Sequence, residues 1–201
     1  MMNGDTTQIP ANPYDWINEI LIDANTHISP NPLAMILATA DKQGRPSSRT
    51  VLLKQYDSQG FVFFTNSQSR KGRQLAENPY ASLTFYLPVL KKQIQVEGTV
   101  RQIADSESDA YWQTRPRESQ IGAWASEQSH VIPDDDNFYL RYQQMEERFR
   151  DSPSIPRPRH WYGYRVHPER IEIWLEGNHR LHQRFRYTRH NDSWSVSRLF
   201  P

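Results

Sequence analysis

The 201-residue chain contains no cysteine. This absence excludes disulfides, thiolate metal sites and cysteine nucleophiles, and it agrees with the cytoplasmic location that we expect. Neither sign of charge dominates, because 24 Lys and Arg residues stand against 23 Asp and Glu residues and leave a net charge of +1. This balance predicts no general attraction to nucleic acid or to an anionic membrane, so any anion must be bound by a local cluster of cations.

Long apolar runs are also absent. No stretch approaches the roughly 20 apolar residues that a membrane-spanning helix needs, and the polar N-terminus shows no signal-peptide core, so we expect no membrane partner. The length predicts one core, with a flexible tail at residues 1–12 and a single domain at residues 13–201. Aromatic residues are abundant, with 6 Trp and 10 Tyr, which suits a pocket for a flat ring or a subunit interface equally well.

The order of the predicted elements indicates a mainly β protein with helices, of the α+β class. A first helix at residues 13–24 ends at a proline-rich joint, residues 29–32, and a helical segment spans residues 105–150. Because strands follow one another quickly, with one helix at 67–78 between them, an antiparallel barrel is favoured over a parallel sheet. The predicted strands are 34–40, 48–56, 61–65, 81–87, 92–103, 161–166, 170–175, 184–189 and 194–199. The predicted helices of the insert are 105–114, 118–126 and 134–150.

Four cations gather around a predicted strand, a turn and a helix start. They are Arg49, Lys54, Arg70 and Lys71. A strand ends at Thr65, and a helix is expected to begin at Asn66 or Ser67. The free N–H groups of a first helical turn, with cations beside them, bind a dianionic phosphate well. A basic surface loop is the alternative, but the interleaved hydroxyl groups favour a phosphorylated cofactor.

A second polar cluster lies in the helical segment. Tyr111 and Arg115 are four residues apart and are expected on one helical face, and Pro116 then turns the chain to bring Ser119 towards them. A phenol, a guanidinium and a hydroxyl suit a second phosphate. From these residues alone, however, a surface arginine paired with Glu118 is the favoured interpretation.

A third cluster is Arg180, His182 and Arg184, which would alternate onto one side of an extended segment. Such a row could contact anionic groups or the reacting carbon of a ligand, although a structural histidine is favoured for His182 taken alone. The sequence contains no Gly-x-Ser-x-Gly elbow, no glycine-rich phosphate loop and no His-Glu-x-x-His pair, so no metal site is indicated.

Five blocks in the same order make the chain resemble the pyridoxamine 5′-phosphate oxidase family from about Ala34 to Pro201. They are Arg49–Lys54, Phe64-Thr65-Asn66 with Ser69-Arg70-Lys71, Ser119–Trp124, Trp174 with Arg180-Leu181-His182, and Arg198-Leu199-x-Pro201. The resemblance implies an FMN-binding split β-barrel with a peripheral helical insert, and a homodimer with FMN at the interface. It also implies oxidation of pyridoxamine or pyridoxine 5′-phosphate to pyridoxal 5′-phosphate by O2, giving H2O2 and, from the amine, ammonia.

The resemblance carries residue roles with it, position by position. The implied FMN contacts are Arg49, Thr50, Val51, Leu52, Leu53, Lys54, Phe64, Thr65, Arg70, Lys71, Gln93, Gln128 and Ser129, with Trp174 of the partner subunit and Arg184 of the partner subunit. The implied contacts to the substrate phosphate are Lys54, Tyr111, Arg115 and Ser119. Arg180 and His182, with Leu181 between them, would cover the reacting carbon as the catalytic pair.

The chain departs from the family's pattern in several places. The N-terminal Arg-x-x-Tyr arm has no counterpart before Pro13, and Trp161-Tyr162-Gly163 stands where the family has Trp-Gly-Gly. Glu176-Gly177 replaces Gly-Gly, and Gln183 replaces the acidic residue after Arg-Leu-His. These departures leave open an FMN oxidase of the same fold that acts on another substrate, such as a phenazine precursor, and a non-enzymatic carrier of flavin or pyridoxal phosphate.

Overall fold

The computed structural model describes residues 9–28 and 33–201. The predicted joint at 29–32 and the first eight residues of the expected tail lie outside them. Within the rest of that tail, Ile9 packs against the core, and the carbonyl oxygen of Pro10 accepts a hydrogen bond from the Tyr187 hydroxyl at 2.9 Å.

Helix α1 (Pro13–His27) begins where the sequence predicts. Its start is built by Asn12, whose side chain accepts a hydrogen bond from the N–H of Tyr14, and by proline at the first helical position. The helix runs three residues beyond the predicted end. Its buried face, which includes Ile17 and Ile20, packs on the barrel core.

In the described residues, nine strands form one sheet in which every pairing is antiparallel. The order is β2-β1-β5-β6-β7-β4-β3, with β8 paired to β7 and β9 paired to β8. This sheet and its helices confirm the predicted α+β class. The strands are β1 (Ala34–Ala40), β2 (Pro46–Leu52), β3 (Gln55–Asp57), β4 (Gly60–Asn66), β5 (Tyr80–Leu87), β6 (Lys92–Gln102), β7 (Trp161–Leu175), β8 (Gln183–His190) and β9 (Ser193–Leu199).

The predicted strand 48–56 is wrong, because the chain there crosses from one edge of the sheet to the other. Strand β2 pairs with β1, whereas β3 pairs with β4 at the opposite end of the strand order. The break falls at Leu53, which is 2% exposed and whose N–H bonds to the carbonyl oxygen of Leu33. The next N–H, of Lys54, bonds to Val62 at 2.9 Å. This crossing brings the two sheet edges together.

The predicted strands 161–166 and 170–175 form one strand, β7, which pairs with β4 through its first half and with β8 through its second half. Strand β6 runs along both halves and shifts register between Glu97 and Gly98, where Gly98 lies opposite Pro168. A Cβ at Gly98 would lie 1.9 Å from the carbonyl oxygen of His167, so glycine allows this close approach. At the bulge, the second neighbour of β7 therefore changes from β4 to β8.

Four further α-helices follow in the described residues. They are α2 (Arg70–Glu77), α3 (Asp105–Gln113), α4 (Arg117–Ala125) and α5 (Phe138–Arg148). Helix α5 starts four residues later than predicted, because Asn137 caps it by accepting from the N–H of Tyr139. Helices α3 to α5 cover a small second core that includes Trp112, Ile121 and Trp161.

Candidate active site

Arg49 projects from β2 and is held by neutral acceptors. Its Nη1 donates to the Thr39 hydroxyl at 2.6 Å and to the Leu37 carbonyl oxygen at 3.2 Å, and its Nη2 donates to the Ser47 hydroxyl at 2.5 Å. Burial, and then the neighbouring Arg70, lowers the pKa of Arg49. Both effects disfavour an uncompensated charge, so this guanidinium gains from an anion nearby.

Lys71 is the most deeply buried cation of the first cluster, at 7% exposure. Its Nζ donates to the Gln128 side chain at 3.0 Å, the Thr65 hydroxyl at 3.2 Å and the Ser69 hydroxyl at 3.3 Å. Burial, with a further contribution from Arg49, lowers the pKa of Lys71 to about 8. A buried amine held only by neutral oxygens is suited to an anionic ligand.

The helix beside this cluster starts later than the predicted Asn66 or Ser67. Asn66 instead closes a turn in which its side chain accepts from the N–H of Gln68 at 2.7 Å. Ser69 is the extended cap, and its hydroxyl accepts from the N–H of Gly72. Arg70 and Lys71 are therefore the first two helical residues, and their cationic side chains lie at the positive end of the helix dipole.

Tyr111, Arg115 and Ser119 lie together, but not on one helix. Helix α3 ends at Gln113, and Arg115 occupies the connection before α4, so the predicted shared helical face is wrong. Arg115 instead donates from Nη2 to the Ser119 carbonyl oxygen at 3.0 Å. The alternative ion pair between Arg115 and Glu118 does not form among the described residues.

Aromatic rings support the Arg115 guanidinium. Its central carbon lies 4.8 Å from the Trp161 ring centroid and 5.4 Å from that of Trp112. Phe64 stacks with Tyr111, at 4.1 Å, and with Trp161, at 5.0 Å. Arg115 Nε is buried and finds no hydrogen-bond partner in the described part of the chain. Burial lowers the pKa of Arg115, and Tyr111 partly opposes this. The group is thus stacked, desolvated and open to an anion.

One cavity of about 700 Å³ contains both clusters. It has no Asp or Glu in its lining as far as the described residues extend. The predicted site residues that line it are Arg49, Thr50, Val51, Leu52, Lys54, Phe64, Thr65, Arg70, Lys71, Tyr111, Arg115, Ser119, Gln128 and Ser129. Fourteen residues predicted to contact FMN or the substrate phosphate therefore line one cavity.

The other predicted site residues do not line this cavity within the same chain. Leu53 is buried, and the rest belong to the β6, β7 and β8 region: Gln93, Trp174, Arg180, Leu181, His182 and Arg184. Gln93 lies opposite Trp174, which lies opposite Arg184, so these three form a row across three strands. The His182 ring packs on Trp174 at 4.7 Å, and Arg184 donates to Glu172 at 2.7 Å.

The predicted alternation of Arg180, His182 and Arg184 is wrong. His179 and Arg180 have positive φ angles of 55° and 64°, and residues Asn178–Arg180 form a 3-10 turn. Only Arg184 lies in a strand. The turn is tied back by a hydrogen bond from the N–H of Gly177 to Nδ1 of His182 at 3.3 Å.

Three lining residues were not predicted: Ser47, Ser48 and Pro116. Ser47 could have been found, since it precedes Arg49 by two residues and so shares its face of the strand. Ser129 was predicted only through the resemblance, and it has a positive φ of 72°, which is uncommon for serine. Gln128, next to it, accepts from both Thr65, at 3.2 Å, and Lys71.

Among residues 9–28 and 33–201, no helix has the length and apolarity to cross a membrane. The same residues contain no group of three or more His, Asp or Glu side chains placed to hold a metal ion.

Comparison with known proteins gives consistent matches. The family model described as pyridoxamine 5′-phosphate oxidase matches residues 23–149, and that of the pyridoxine 5′-phosphate oxidase C-terminal dimerisation region matches residues 161–201. Trp174, Arg180, His182 and Arg184 all fall within the second match.

Two curated relatives are named pyridoxine/pyridoxamine 5′-phosphate oxidase. The one from Myxococcus xanthus (strain DK1622) is 45% identical over 96% of this chain and 93% of its own length. The one from Paraburkholderia phytofirmans is 48% identical over 98% of this chain and 92% of its own length.

Solved structures agree on the fold. PhzG from Burkholderia lata 383, in complex with tetrahydrophenazine-1-carboxylic acid, has a TM-score of 0.90 and 31% identity, covering 100% of this chain and 98% of that one. A pyridoxamine 5′-phosphate oxidase-related, FMN binding protein from Nostoc punctiforme has a TM-score of 0.76 at 18% identity, covering 96% of this chain and 100% of that one. The FMN-binding split-barrel fold is thereby confirmed. Two family models match successive parts of the chain, and relatives above 40% identity match it over nearly its full length. The chain therefore belongs to the pyridoxamine 5′-phosphate oxidase family.

Proposed function

We propose that this protein is an FMN-dependent oxidase that converts pyridoxamine 5′-phosphate or pyridoxine 5′-phosphate to pyridoxal 5′-phosphate with O2 as acceptor. The observation that carries the proposal is the single cavity in which two cation clusters meet. FMN and the substrate each bear one phosphate, so the two clusters match the two ligands in number and in charge. The names of the curated relatives support the same substrates.

The first cluster fits the FMN phosphate. Arg49 and Lys71 are held by hydroxyl, amide and carbonyl oxygens, and Arg70 is exposed beside them at the start of α2. A dianionic phosphate there would meet three positive charges and the helix N-terminus. Thr65 and Gln128 orient the Lys71 amine, and so act on the phosphate through it.

The second cluster, together with Lys54 of the first, fits the substrate phosphate. Lys54 lies 6.0 Å from the Tyr111 ring centroid, and the Tyr111 ring is stacked in turn on Phe64. Arg115 offers an unpartnered Nε, and Ser119 adds a hydroxyl to the same lining. The stacked rings hold the Arg115 fork in one plane, which favours a geometrically defined contact with phosphate.

The chain's task in the reaction is alignment. FMN, when bound, supplies the redox chemistry by accepting a hydride from the C4′ carbon of the substrate and passing electrons to O2, which gives H2O2, with ammonia released from the amine substrate. Lys54, Tyr111, Arg115 and Ser119 fix the phosphate end of the substrate, so its other end is directed into the cavity. Arg180 and His182 would orient the reacting end and stabilise developing charge.

We also propose that Arg180 and His182, like Trp174 and Arg184, act in the cavity of a second subunit. All four lie outside the cavity of their own chain and inside the region matched by the dimerisation model. Complementation tests this arrangement. Arg70→Ala and His182→Ala proteins, each inactive alone, should regain activity when mixed, because one site of the mixed dimer then has both native residues. No recovery in mixed dimers of verified composition would refute the shared site.

The activity itself is tested by oxygen uptake. Purified protein supplied with FMN should consume O2 when given pyridoxine 5′-phosphate or pyridoxamine 5′-phosphate, and the aldehyde product should appear in its absorbance at the same rate. Pyridoxine without the phosphate is the control, and it should react far more slowly because the Arg115 cluster has nothing to bind. A protein that binds FMN but consumes no O2 with either phosphate would refute the proposal.

A second candidate is an FMN oxidase acting on a phenazine precursor. The likeness to PhzG, at a TM-score of 0.90 over the whole chain, supports it. The cations Lys54 and Arg115 favour a phosphorylated substrate instead. Oxygen uptake with tetrahydrophenazine-1-carboxylic acid, and none with the two phosphates, would decide for this second candidate.

A further inference from the structure

Gln74 lies behind the Arg49 side of the cavity, outside its lining. It is in α2 and is 5% exposed. Its Oε1 accepts hydrogen bonds from the Thr39 hydroxyl at 2.6 Å and the Ser47 hydroxyl at 2.7 Å. These are the same two hydroxyls that hold the Arg49 guanidinium, at 2.6 Å and 2.5 Å. One amide oxygen therefore accepts hydrogen bonds from both hydroxyl groups to which Arg49 donates.

The chemistry of the partners sets the direction of each hydrogen bond. A guanidinium only donates, an amide oxygen only accepts, and a hydroxyl has one proton to give. Thr39 and Ser47 must therefore each give their proton to Gln74 and turn a lone pair towards Arg49. With no acceptor at position 74, either hydroxyl could rotate, and Arg49 would lose its fixed support.

Three separate elements meet at this point. Thr39 lies opposite Ser47 in the pairing of β1 with β2, and Leu37 lies opposite Arg49 in the same pairing. Gln74 reaches them from α2, the helix that begins at Arg70. The side chain of Gln74 thus ties the Arg49 strand to the helix that carries Arg70 and Lys71.

Gln74 provides this support without a charge. A carboxylate at the same position would accept the same two hydrogen bonds, but it would place a negative charge two hydrogen bonds away from Arg49. Since the acceptors of Arg49 are all neutral oxygens, its positive charge is left for a ligand. Neutral support is what a phosphate-binding guanidinium requires.

We propose that Gln74 is a positioning residue for phosphate recognition: it fixes the Thr39 and Ser47 hydroxyls so that Arg49 presents a rigid, uncompensated guanidinium to the FMN phosphate. This inference rests on the proposed function, since it takes the FMN phosphate as the anion at Arg49. A purely structural Gln74 would affect FMN and riboflavin alike, because riboflavin has the same ring and lacks only the phosphate.

The test compares the affinities for FMN and riboflavin, measured by quenching of flavin fluorescence on protein from which bound flavin has been removed. Gln74→Leu keeps the size of the side chain and removes the acceptor, and Gln74→Glu keeps the acceptor and adds a charge. Each should weaken FMN binding roughly tenfold: Gln74→Leu because Arg49 then makes a poorly placed hydrogen bond to the phosphate, and Gln74→Glu because it adds a negative charge near Arg49. Riboflavin binding should not change. Gln102→Leu, an exposed position at the end of β6, is the matched control.

Equal losses of FMN and riboflavin affinity in the Gln74 variants, or an unchanged FMN affinity, would overturn the inference. If Gln74→Leu fails to fold, Gln74→Glu carries the test, because it retains both hydrogen bonds. A wild-type protein that does not bind FMN would overturn the proposed function, and this inference with it. A wild-type protein that binds FMN, with unaltered Gln74 variants, would overturn the inference alone.

Discussion

The two phosphate clusters should be separable by mutation. Arg70→Ala removes an exposed cation beside the proposed FMN phosphate, while Arg115→Ala removes a stacked cation beside the proposed substrate phosphate. A hydrogen bond to a charged group is worth about 1.5–3 kcal/mol, so each loss should weaken the corresponding ligand roughly 10- to 150-fold. Arg70→Ala should therefore release FMN, and Arg115→Ala should raise KM for the substrate while leaving FMN affinity nearly unchanged.

Stability gives a second, independent difference between these variants. Arg115 lies over Trp161 and Trp112, at 4.8 Å and 5.4 Å, and donates to the Ser119 carbonyl oxygen. Loss of these contacts should cost about 1–2 kcal/mol of folding free energy. Arg70 makes no comparable contact in the described chain, so Arg70→Ala should keep the wild-type Tm.

The assays are FMN titration by fluorescence quenching, steady-state oxygen uptake and thermal unfolding of the flavin-free protein. Arg73→Ala is the matched control for Arg70→Ala, because it removes the same charge from the same helix at an exposed position outside the cavity. Equal loss of FMN in Arg70→Ala and Arg115→Ala would refute the separation of the two phosphate sites. Loss of FMN in Arg73→Ala to the same extent would show that only the net charge matters.

Two further predictions concern Lys71 and Gly98. Burial, and then Arg49, lowers the pKa of Lys71 to about 8 from an ordinary 10.5, so FMN affinity should fall above about pH 8, by at most about tenfold per pH unit, and riboflavin affinity should not. The pKa of Lys71 is lower in the folded than in the unfolded protein, so the buried charged amine destabilises the folded state fully below about pH 8. This destabilisation decreases as the pH rises from about 8 towards 10.5. Lys71→Met should abolish both dependences, and an unaltered pH profile in that variant would contradict the assignment. Gly98→Ala should lower the free energy of unfolding by at least about 2 kcal/mol, measured by urea unfolding, because the new Cβ meets the His167 carbonyl oxygen; an unchanged midpoint would show that the bulge can relax.

Local patterns were enough to predict much of the fold. The strand Ala34–Ala40 was predicted with its observed bounds because a turn signal, Asp41-Lys42-Gln43-Gly44, follows it directly. The helices of the insert were placed within a few residues, and the start of α5 is set by Asn137, whose side chain caps it. The donors of both clusters were identified from the sequence, although a surface arginine was the favoured interpretation of the second, and both clusters line the same cavity.

Pairing across the sheet could not be predicted from those patterns. Nothing in the run from Ser48 to Tyr56 shows that its two halves belong to opposite edges, since the choice depends on partners in β1 and β4 that are distant in sequence. The support of Arg49 is equally nonlocal, because Thr39 precedes it by ten residues and Gln74 follows by twenty-five. The turn at His179 and Arg180 was missed because the left-handed conformation there is adopted without a glycine.

Strand β7 supports the proposal that the active site is shared between two chains. Trp161, at its start, stacks on Phe64 in the cavity wall, whereas Trp174 lies thirteen residues further along the same strand. At about 3.3 Å per residue, roughly 40 Å of strand separates these two side chains. The His182 ring packs on Trp174, and Arg180 lies in the turn beside them. Trp174, Arg180 and His182 are therefore far from the cavity of their own chain. In the proposed shared site, a second copy offers this group from outside. Dilution below the dimer dissociation constant should then lower turnover more than flavin affinity, because Arg180 and His182 are lost with the partner whereas each chain keeps its own cluster for the FMN phosphate.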